Sequence, residues 1–210
     1  MTWVSLNLWA DEEKRILTCL TEALQQLIVK RIVNSTDEEK TITGKLRPIL
    51  RNIRKLKGLA WTLQFEVSSF EQDDDSEPIA RPDMRFTFND PQYNQYDYDV
   101  ECKLVRVNRP DANTDYCYNY VRKGVLRYQF GRYAQSSPPM GTMLGYIQEG
   151  KLLSLFETIN EKARYQKLDA IKINGTFKES GVSYLTQHLQ RSADAFVLSH
   201  LWADFRQSVA

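Results

Sequence analysis

Two carboxylates and a lysine near the middle of the chain carry the most chemistry. Pro82-Asp83 opens a short β-rich run, residues 83–88, and Glu101-Cys102-Lys103 lies inside a longer one, residues 96–107, with 17 residues between the two acids. Side chains alternate faces along a strand, so Glu101 and Lys103 share a face and Cys102 points to the other. If the two runs pair, Asp83 comes beside Glu101, and two carboxylates converge with an ammonium one position along. Such a set suits Mg²⁺, a hard cation that takes oxygen ligands and keeps some of its waters. The Cys102 carbonyl oxygen can add a ligand, and Mn²⁺ is expected to substitute. A metal so held acidifies a bound water and neutralises charge on a phosphate. Lys103 then orients the water or meets the developing negative charge. The alternative makes Asp83 a turn residue and Glu101/Lys103 a solvated edge-strand pair. Asp97, Asp99 and Glu101 on one strand face count against it, because three acids in a row are costly unless a cation or water compensates.

These residues need elements to hold them. Residues 11–33 form an amphipathic helical pattern, with Ile16, Leu20, Leu24, Leu27 and Ile28 at helical spacing. Residues 34–57 predict a second helical region. Ser35 or Thr36 would cap it, with Glu38 or Glu39 as the capping-box partner. Pro48 would kink or divide it, and Gly58 would stop it. A strand is expected over 60–70, a solvated loop over the five acids of 71–77, and a turn over 89–95. Residues 116–133 predict a helix, weakened by Gly124 and Gly131. A strand over 140–148 and a helix over 151–165 follow, the latter with Leu152, Phe156 and Ile159 inward. Residues 170–174 and 183–189 predict strands; 195–205 fits either period and is taken as a strand. The order predicts an α/β sandwich with a mixed sheet.

Composition sets the outer limits. The 210 residues are 42% hydrophobic and 26% charged, enough for a sizeable core. With 28 basic and 27 acidic side chains the net charge is only +1, which excludes a uniformly basic coat. Cys19, Cys102 and Cys117 have neither a disulfide framework nor zinc spacing. Without an apolar run of membrane length or an apolar leader before Asp11, Glu12 and Glu13, a reducing cytoplasm is the expected compartment.

The Pro82-Asp83 and Glu101-Cys102-Lys103 pair, in that order on two strands, resembles the PD-(D/E)xK nuclease superfamily. The resemblance covers roughly residues 35–150. It implies a restriction-endonuclease-like mixed β-sheet flanked by helices, in the order helix, strand, Asp-bearing strand, ExK-bearing strand, helix. It implies a Mg²⁺-dependent nuclease in which Asp83, Glu101 and the Cys102 carbonyl hold the metal and Lys103 positions or polarises the water. Many members also keep a glutamate on the helix before the first strand, which here is Glu38 or Glu39, with Glu39 preferred. Gln129-Phe130-Gly131-Arg132-Tyr133 matches the QxxxY element that RecB-like members carry on the helix after ExK. DNA is the implied substrate ahead of RNA, and small stand-alone members suggest a bacterial anti-phage or anti-plasmid effector. The implied organisation is a single domain over 1–210. Residues 1–34 are a helical segment suited to dimer or partner contact, 35–150 the nuclease core, and 151–210 a helix and strands completing the sheet. The implied partners are nucleic acid, a regulatory or sensor subunit and further copies of the chain. A catalytically silent subunit that keeps the fold for nucleic-acid binding or assembly is the alternative.

Charge is locally segregated. Residues 45–57 hold six basic side chains and no acid; residues 103–133 hold seven against Asp111 and Asp115. Either run can steer a polyanion or be an ordinary solvated helix face. Arg122, Lys123, Arg127, Gln129, Arg132 and Tyr133 are the candidate nucleic-acid contacts. Tyr128 and Tyr133 interleave with arginines, which suits base stacking and equally suits the rim of a core. Other chemistries lack support. Gly145 to Lys151 imitates a phosphate-binding loop, but Leu152 stands where a Ser or Thr must ligand Mg²⁺. His188 and His200 are too isolated for a metal or nuclease triad, and the four tryptophans read as core or interface anchors.

Overall fold

The computed structural model describes residues 3–65, 82–90, 94–107, 114–133, 140–173, 181–190 and 195–206. The acidic stretch 71–77, part of the expected strand 60–70, part of the turn 89–95, Arg109 and Asp111 lie outside them. The helices are α1 (Trp3–Val29), α2 (Glu39–Leu56), α3 (Tyr116–Tyr120), α4 (Leu126–Gln129) and α5 (Leu152–Tyr165), with a π-helical segment, Val121–Val125, joining α3 to α4. The strands are β1 (Thr62–Phe65), β2 (Met84–Asp90), β3 (Asn94–Val105), β4 (Met140–Ile147), β5 (Lys172–Ile173), β6 (Val182–Gln190) and β7 (Ala195–Asp204).

All seven strands lie in one mixed sheet, in the order β1-β2-β3-β4-β7-β6-β5. The three central strands β3, β4 and β7 run parallel, and the hairpin partners on either side are antiparallel. The mixed α/β architecture expected from the element order is therefore present. Residues 195–205, ambiguous by period, are drawn into β7 by pairing with both β4 and β6.

The sheet separates two apolar layers. On one face Tyr98, Val100, Cys102 and Leu104 of β3 pack with Ile16, Leu20, Leu24 and Leu27 of α1 and with Ile42, Leu46, Leu50 and Ile53 of α2. Each such side chain contributes about 1.5–3 kcal/mol on burial. On the other face Val105 joins Tyr120, Val121, Val125 and Tyr128, with Leu155 and Ile159 of α5. Strand alternation sends Asp97, Asp99, Glu101 and Lys103 to this second face. His200 belongs to this layer too: it is fully buried, its Nδ1 2.8 Å from the Tyr120 hydroxyl, which also accepts from Trp202 Nε1 at 2.9 Å.

Three expectations are corrected. Neither Ser35 nor Thr36 caps α2. The helix begins at Glu39, after an extended Glu38 that makes no side-chain cap, because residues 34–37 are committed to tertiary contacts described below. Pro48 does not divide α2, which runs unbroken through it; the four buried aliphatics of its inner face outweigh the roughly 3 kcal/mol that an interior proline costs. Residues 116–133 are not one regular helix. The π-helical segment interrupts it, and Gly131, at φ +68°, ends it. The Gly131 N–H donates to the Tyr128 carbonyl at 3.0 Å and the Arg132 N–H to the Arg127 carbonyl at 2.8 Å, a Schellman turn that only a residue tolerant of positive φ completes without strain. Gly145, first residue of the phosphate-loop lookalike, lies inside β4, where a Cβ would come within 2.6 Å of the Trp202 ring.

Candidate active site

Strand register builds the site. Met84 pairs with Val100 and Arg85 with Asp99, so one further step sets Asp83 opposite Glu101. Asp83 stands just before β2, and its Oδ2 accepts the Cys102 N–H at 2.7 Å. That bond takes the place of the ladder partner that β2 no longer supplies.

Glu101 is 1% exposed. Its Oε1 lies 2.6 Å from Lys103 Nζ and 3.0 Å from Arg127 Nη1, and the Tyr133 hydroxyl donates to its Oε2 at 2.8 Å. Lys103 Nζ also reaches Glu39 Oε1 at 3.1 Å and donates to the Cys102 carbonyl at 2.6 Å. Glu39 Oε2 accepts the Leu104 N–H at 3.1 Å. Asp83, Glu101, Lys103, Glu39 and the Cys102 carbonyl, expected together, are together at one end of β3.

Glu39 arrives there because the segment before α2 is fastened to the strand ends. Gln148, just past β4, donates to the carbonyls of Asn34 at 2.8 Å and Asp37 at 3.1 Å. Arg106, just past β3, bonds the Gln148 side chain and the Ser35 and Asp37 carbonyls. Lys45 closes the loop onto Asp37 at 2.5 Å. Arg106 and Gln148 are positioning residues absent from the sequence reading; the carbonyls they hold lie 69 to 114 positions away and leave no local signal.

Burial pushes the Glu101 carboxyl up to about 7; Asp83 pushes the same way while Lys103 and Arg127 oppose it. Burial, helped by the Asp83 charge and opposed by Lys103, also raises Glu39. For Lys103, burial works against the ammonium, yet Glu101, Glu39 and Asp83 outweigh it and hold its pKa above the ordinary value. Lys103 is thus a permanent cation near neutral pH, suited to stabilising negative charge and unsuited to taking a proton. Three carboxylates face two cations, Lys103 and Arg127, so the fully ionised cluster retains an excess of negative charge.

The donor set fits a hard cation. Asp83, Glu101 and the Cys102 carbonyl offer oxygen alone. The Cys102 thiol is buried on the opposite face against the Tyr146 hydroxyl at 3.2 Å, so no thiolate is available. Among the described residues no three His, Cys, Asp or Glu side chains form a ready metal cage. A cation would therefore take two carboxylates and one carbonyl and keep several waters, as Mg²⁺ does. Lys103 would have to release the Cys102 carbonyl, and Glu101 would have to turn an oxygen away from it.

The candidate nucleic-acid contacts divide. Arg122, Lys123 and Arg132 are exposed, and Gln129 is half-buried in the last turn of α4. Arg127 instead pairs with Glu101 and donates to the Tyr133 hydroxyl at 2.7 Å. Tyr128 and Tyr133 are buried, and their hydroxyls are committed to the Asp99 and Thr142 carbonyls and to Glu101. Neither ring face is open to a base, so the stacking role does not fall to them. Gln129 and Tyr133 also do not share a helix, since the Gly131 turn lies between them and swings Tyr133 back onto Glu101.

The acidic face of β3 is compensated in a way the sequence left open. Arg85 pairs with Asp99 at 2.7 Å and Asp97 at 3.2 Å, and the Thr87 hydroxyl donates to Asp97 at 2.8 Å. Asp97 and Asp99 are therefore matched from the neighbouring strand, whereas Glu101 is held by Lys103 of its own strand and by Arg127 and Tyr133. Alternation along β2, which puts Asp83, Arg85 and Thr87 on one face, was the available signal.

No family model, no curated protein and no solved structure matches the chain. Among the described residues no helix is long and apolar enough to cross a membrane.

Proposed function

We propose that the chain is a metal-dependent nuclease of the PD-(D/E)xK type, with a restriction-endonuclease-like core, hydrolysing phosphodiester bonds of nucleic acid, DNA before RNA. The observation that carries this is the Asp83–Glu101 juxtaposition where β2 stops pairing with β3, with Lys103 one alternation along and bonded to both Glu101 and Glu39. The element order supports it: a helix bearing Glu39, then β1, then Asp83 at the start of β2, then Glu101 and Lys103 on β3, then helices and β4 parallel to β3. Mg²⁺ or Mn²⁺, held by Asp83, Glu101 and the Cys102 carbonyl, would supply Lewis acidity and an acidified water. Lys103, fixed as an ammonium, meets negative charge building on the phosphate. Glu39 holds Lys103 from the other side, and Arg127 and Tyr133 aim the Glu101 carboxylate. Arg122, Lys123 and Arg132 supply phosphate contacts, which position a strand without reading it. A regulatory subunit, self-association and a role in bacterial defence belong to the same proposal.

One observation favours a second reading. Both Glu101 oxygens are already engaged by protein donors, as in a structural ion cluster, which suits a silent subunit that keeps the fold. Cleavage of plasmid, single-stranded DNA and RNA with Mg²⁺, Mn²⁺ or EDTA separates the two, beside Lys103→Ala and Glu101→Gln. Metal-dependent cleavage lost in both variants supports the nuclease. No cleavage and no Mn²⁺ binding by a folded protein supports the silent subunit. No cleavage by a protein that still binds Mn²⁺ points to a nuclease that requires its partner.

A further inference from the structure

The Gly131 turn that folds Tyr133 inward has an outward consequence. Phe130, the residue at the end of α4, is 68% exposed. A phenylalanine gains by burial and here forgoes most of it. Its position is fixed relative to the site, because the turn is closed by the two bonds to Tyr128 and Arg127, and the residues on either side, Arg127 and Tyr133, both hold Glu101. The surroundings are cationic. Lys123 stands seven residues before Phe130, in the π-helical segment, and Arg132 two after it, and both are exposed; Arg127, three before it, is held by Glu101 and Tyr133. An exposed aromatic ring among cations is how proteins hold single-stranded nucleic acid: the cations track the phosphates and the ring receives a base. A paired base offers no free face, so such a ring selects unpaired substrate.

We infer that Phe130 is a base-stacking residue, and that the nucleic acid taken by this site is single-stranded or locally unpaired beside the scissile phosphate. The inference rests on the nucleic-acid reading above and adds the substrate class to it. The charge of the surroundings selects a polyanion over an apolar protein partner as the occupant. The stack tolerates any base, since every base has a π-face, so Phe130 confers strand preference without sequence preference.

Binding without turnover tests this. Wild-type protein and Phe130→Ala, Phe130→Leu and Phe130→Trp are titrated in EDTA with single-stranded DNA, the same sequence as RNA, and the corresponding duplex. The oligonucleotides are about 16 nucleotides long, within the span of one binding groove. Each carries a fluorescent adenine analogue whose emission is quenched by stacking. Because Phe130 is exposed, all three variants are expected to melt with the wild type. The expected result is tighter binding of single strands than of duplex. Phe130→Ala and Phe130→Leu should each lose about fivefold or more on single strands and little on duplex. Phe130→Trp should retain affinity, and the quench should disappear only in the Ala and Leu variants. DNA and RNA losing alike assigns the effect to the base; loss on one alone assigns the substrate to that sugar. Three results overturn the inference while leaving the nuclease reading intact: an unchanged Phe130→Ala, equal losses on single strand and duplex, or retention by Leu. Failure of the wild type to bind any of the three nucleic acids removes both.

Discussion

Two acidic clusters sit on the same face of β3, two residues apart, and they are built on opposite rules. At Asp97 and Asp99 the neighbouring strand answers with Thr87 and Arg85, directly opposite in register. Arg85 grips the fully buried Asp99 through two nitrogens, at 2.7 and 3.2 Å, and Asp97 through a third. One step on, the register sets Asp83 opposite Glu101, acid against acid. Like charges directly opposite each other destabilise a sheet; burial first, and the Asp83 charge after it, raise the Glu101 carboxyl to about 7. The first cluster obeys the local rule and needs nothing further. The second breaks it where the strand pairing ends, and violations of this kind concentrate at functional sites. Lys103 and Arg127 soften the violation without cancelling it.

The comparison is broken most forcefully by removing its cations in turn. Lys103→Ala is expected to lower cleavage by about 10²–10⁴-fold, the usual range for a positioned catalytic group, and to leave the fold intact. Arg85→Met should do the reverse. Turnover per folded molecule stays within about twofold, while stability falls by about 3–5 kcal/mol because Asp99 is left buried with its main partner gone. Thermal unfolding would register this as a drop of about 10 °C for a chain of this size.

Titration sharpens the contrast at smaller amplitude. Folded Glu101 keeps its proton up to about pH 7, whereas the unfolded side chain loses it near 4.5. The folded state therefore binds the extra proton between these values, and Glu101 subtracts stability as pH rises through that window, by about 1 kcal/mol per unit. His200 acts oppositely: burial lowers its pKa from 6.5 to about 3, so it subtracts stability as pH falls below 6.5. Between about pH 4.5 and 6.5 the two offset each other. Glu101→Gln removes the Glu101 slope and leaves that of His200, so across this window the variant should gain more stability with rising pH than the wild type does. Denaturant unfolding at several pH values measures it.

What was legible in the sequence was whatever period and pairing control. Alternation put Glu101 and Lys103 on one face, and pairing of the flanking strands brought Asp83 to them. The heptad-like spacing of Ile16, Leu20, Leu24 and Leu27 marked the inner face of α1. What was not legible depended on distant partners or on backbone turns. The start of α2 answers to Arg106 and Gln148 rather than to Ser35 or Thr36, because four bonds to the carbonyls of residues 34–37 outweigh one cap. Tyr128, Phe130 and Tyr133 look interchangeable in a Tyr-rich segment, yet the Gly131 turn buries two of them and exposes the third. Arg127, on α4 before the turn, pairs with Glu101 and with the Tyr133 hydroxyl that the turn brings back to it. Arg85, two residues from Asp83 on the same face, was visible but could not be assigned to Asp99 before the register was known.

The most direct test is the melting of wild type and Asp83→Asn, each with EDTA and with saturating Mn²⁺. Asn keeps an oxygen for the Cys102 N–H and removes the charge opposite Glu101. In EDTA the variant should melt with the wild type or higher, by up to about 1 kcal/mol of relieved repulsion. Mn²⁺ at about a hundredfold over its dissociation constant should stabilise the wild type by about 2.7 kcal/mol, several degrees, and leave the variant nearly unmoved. A variant that melts several degrees lower in EDTA, with Mn²⁺ shifting both proteins equally or neither, would contradict the account and make Asp83 and Glu101 one more structural cluster like Asp97 and Asp99.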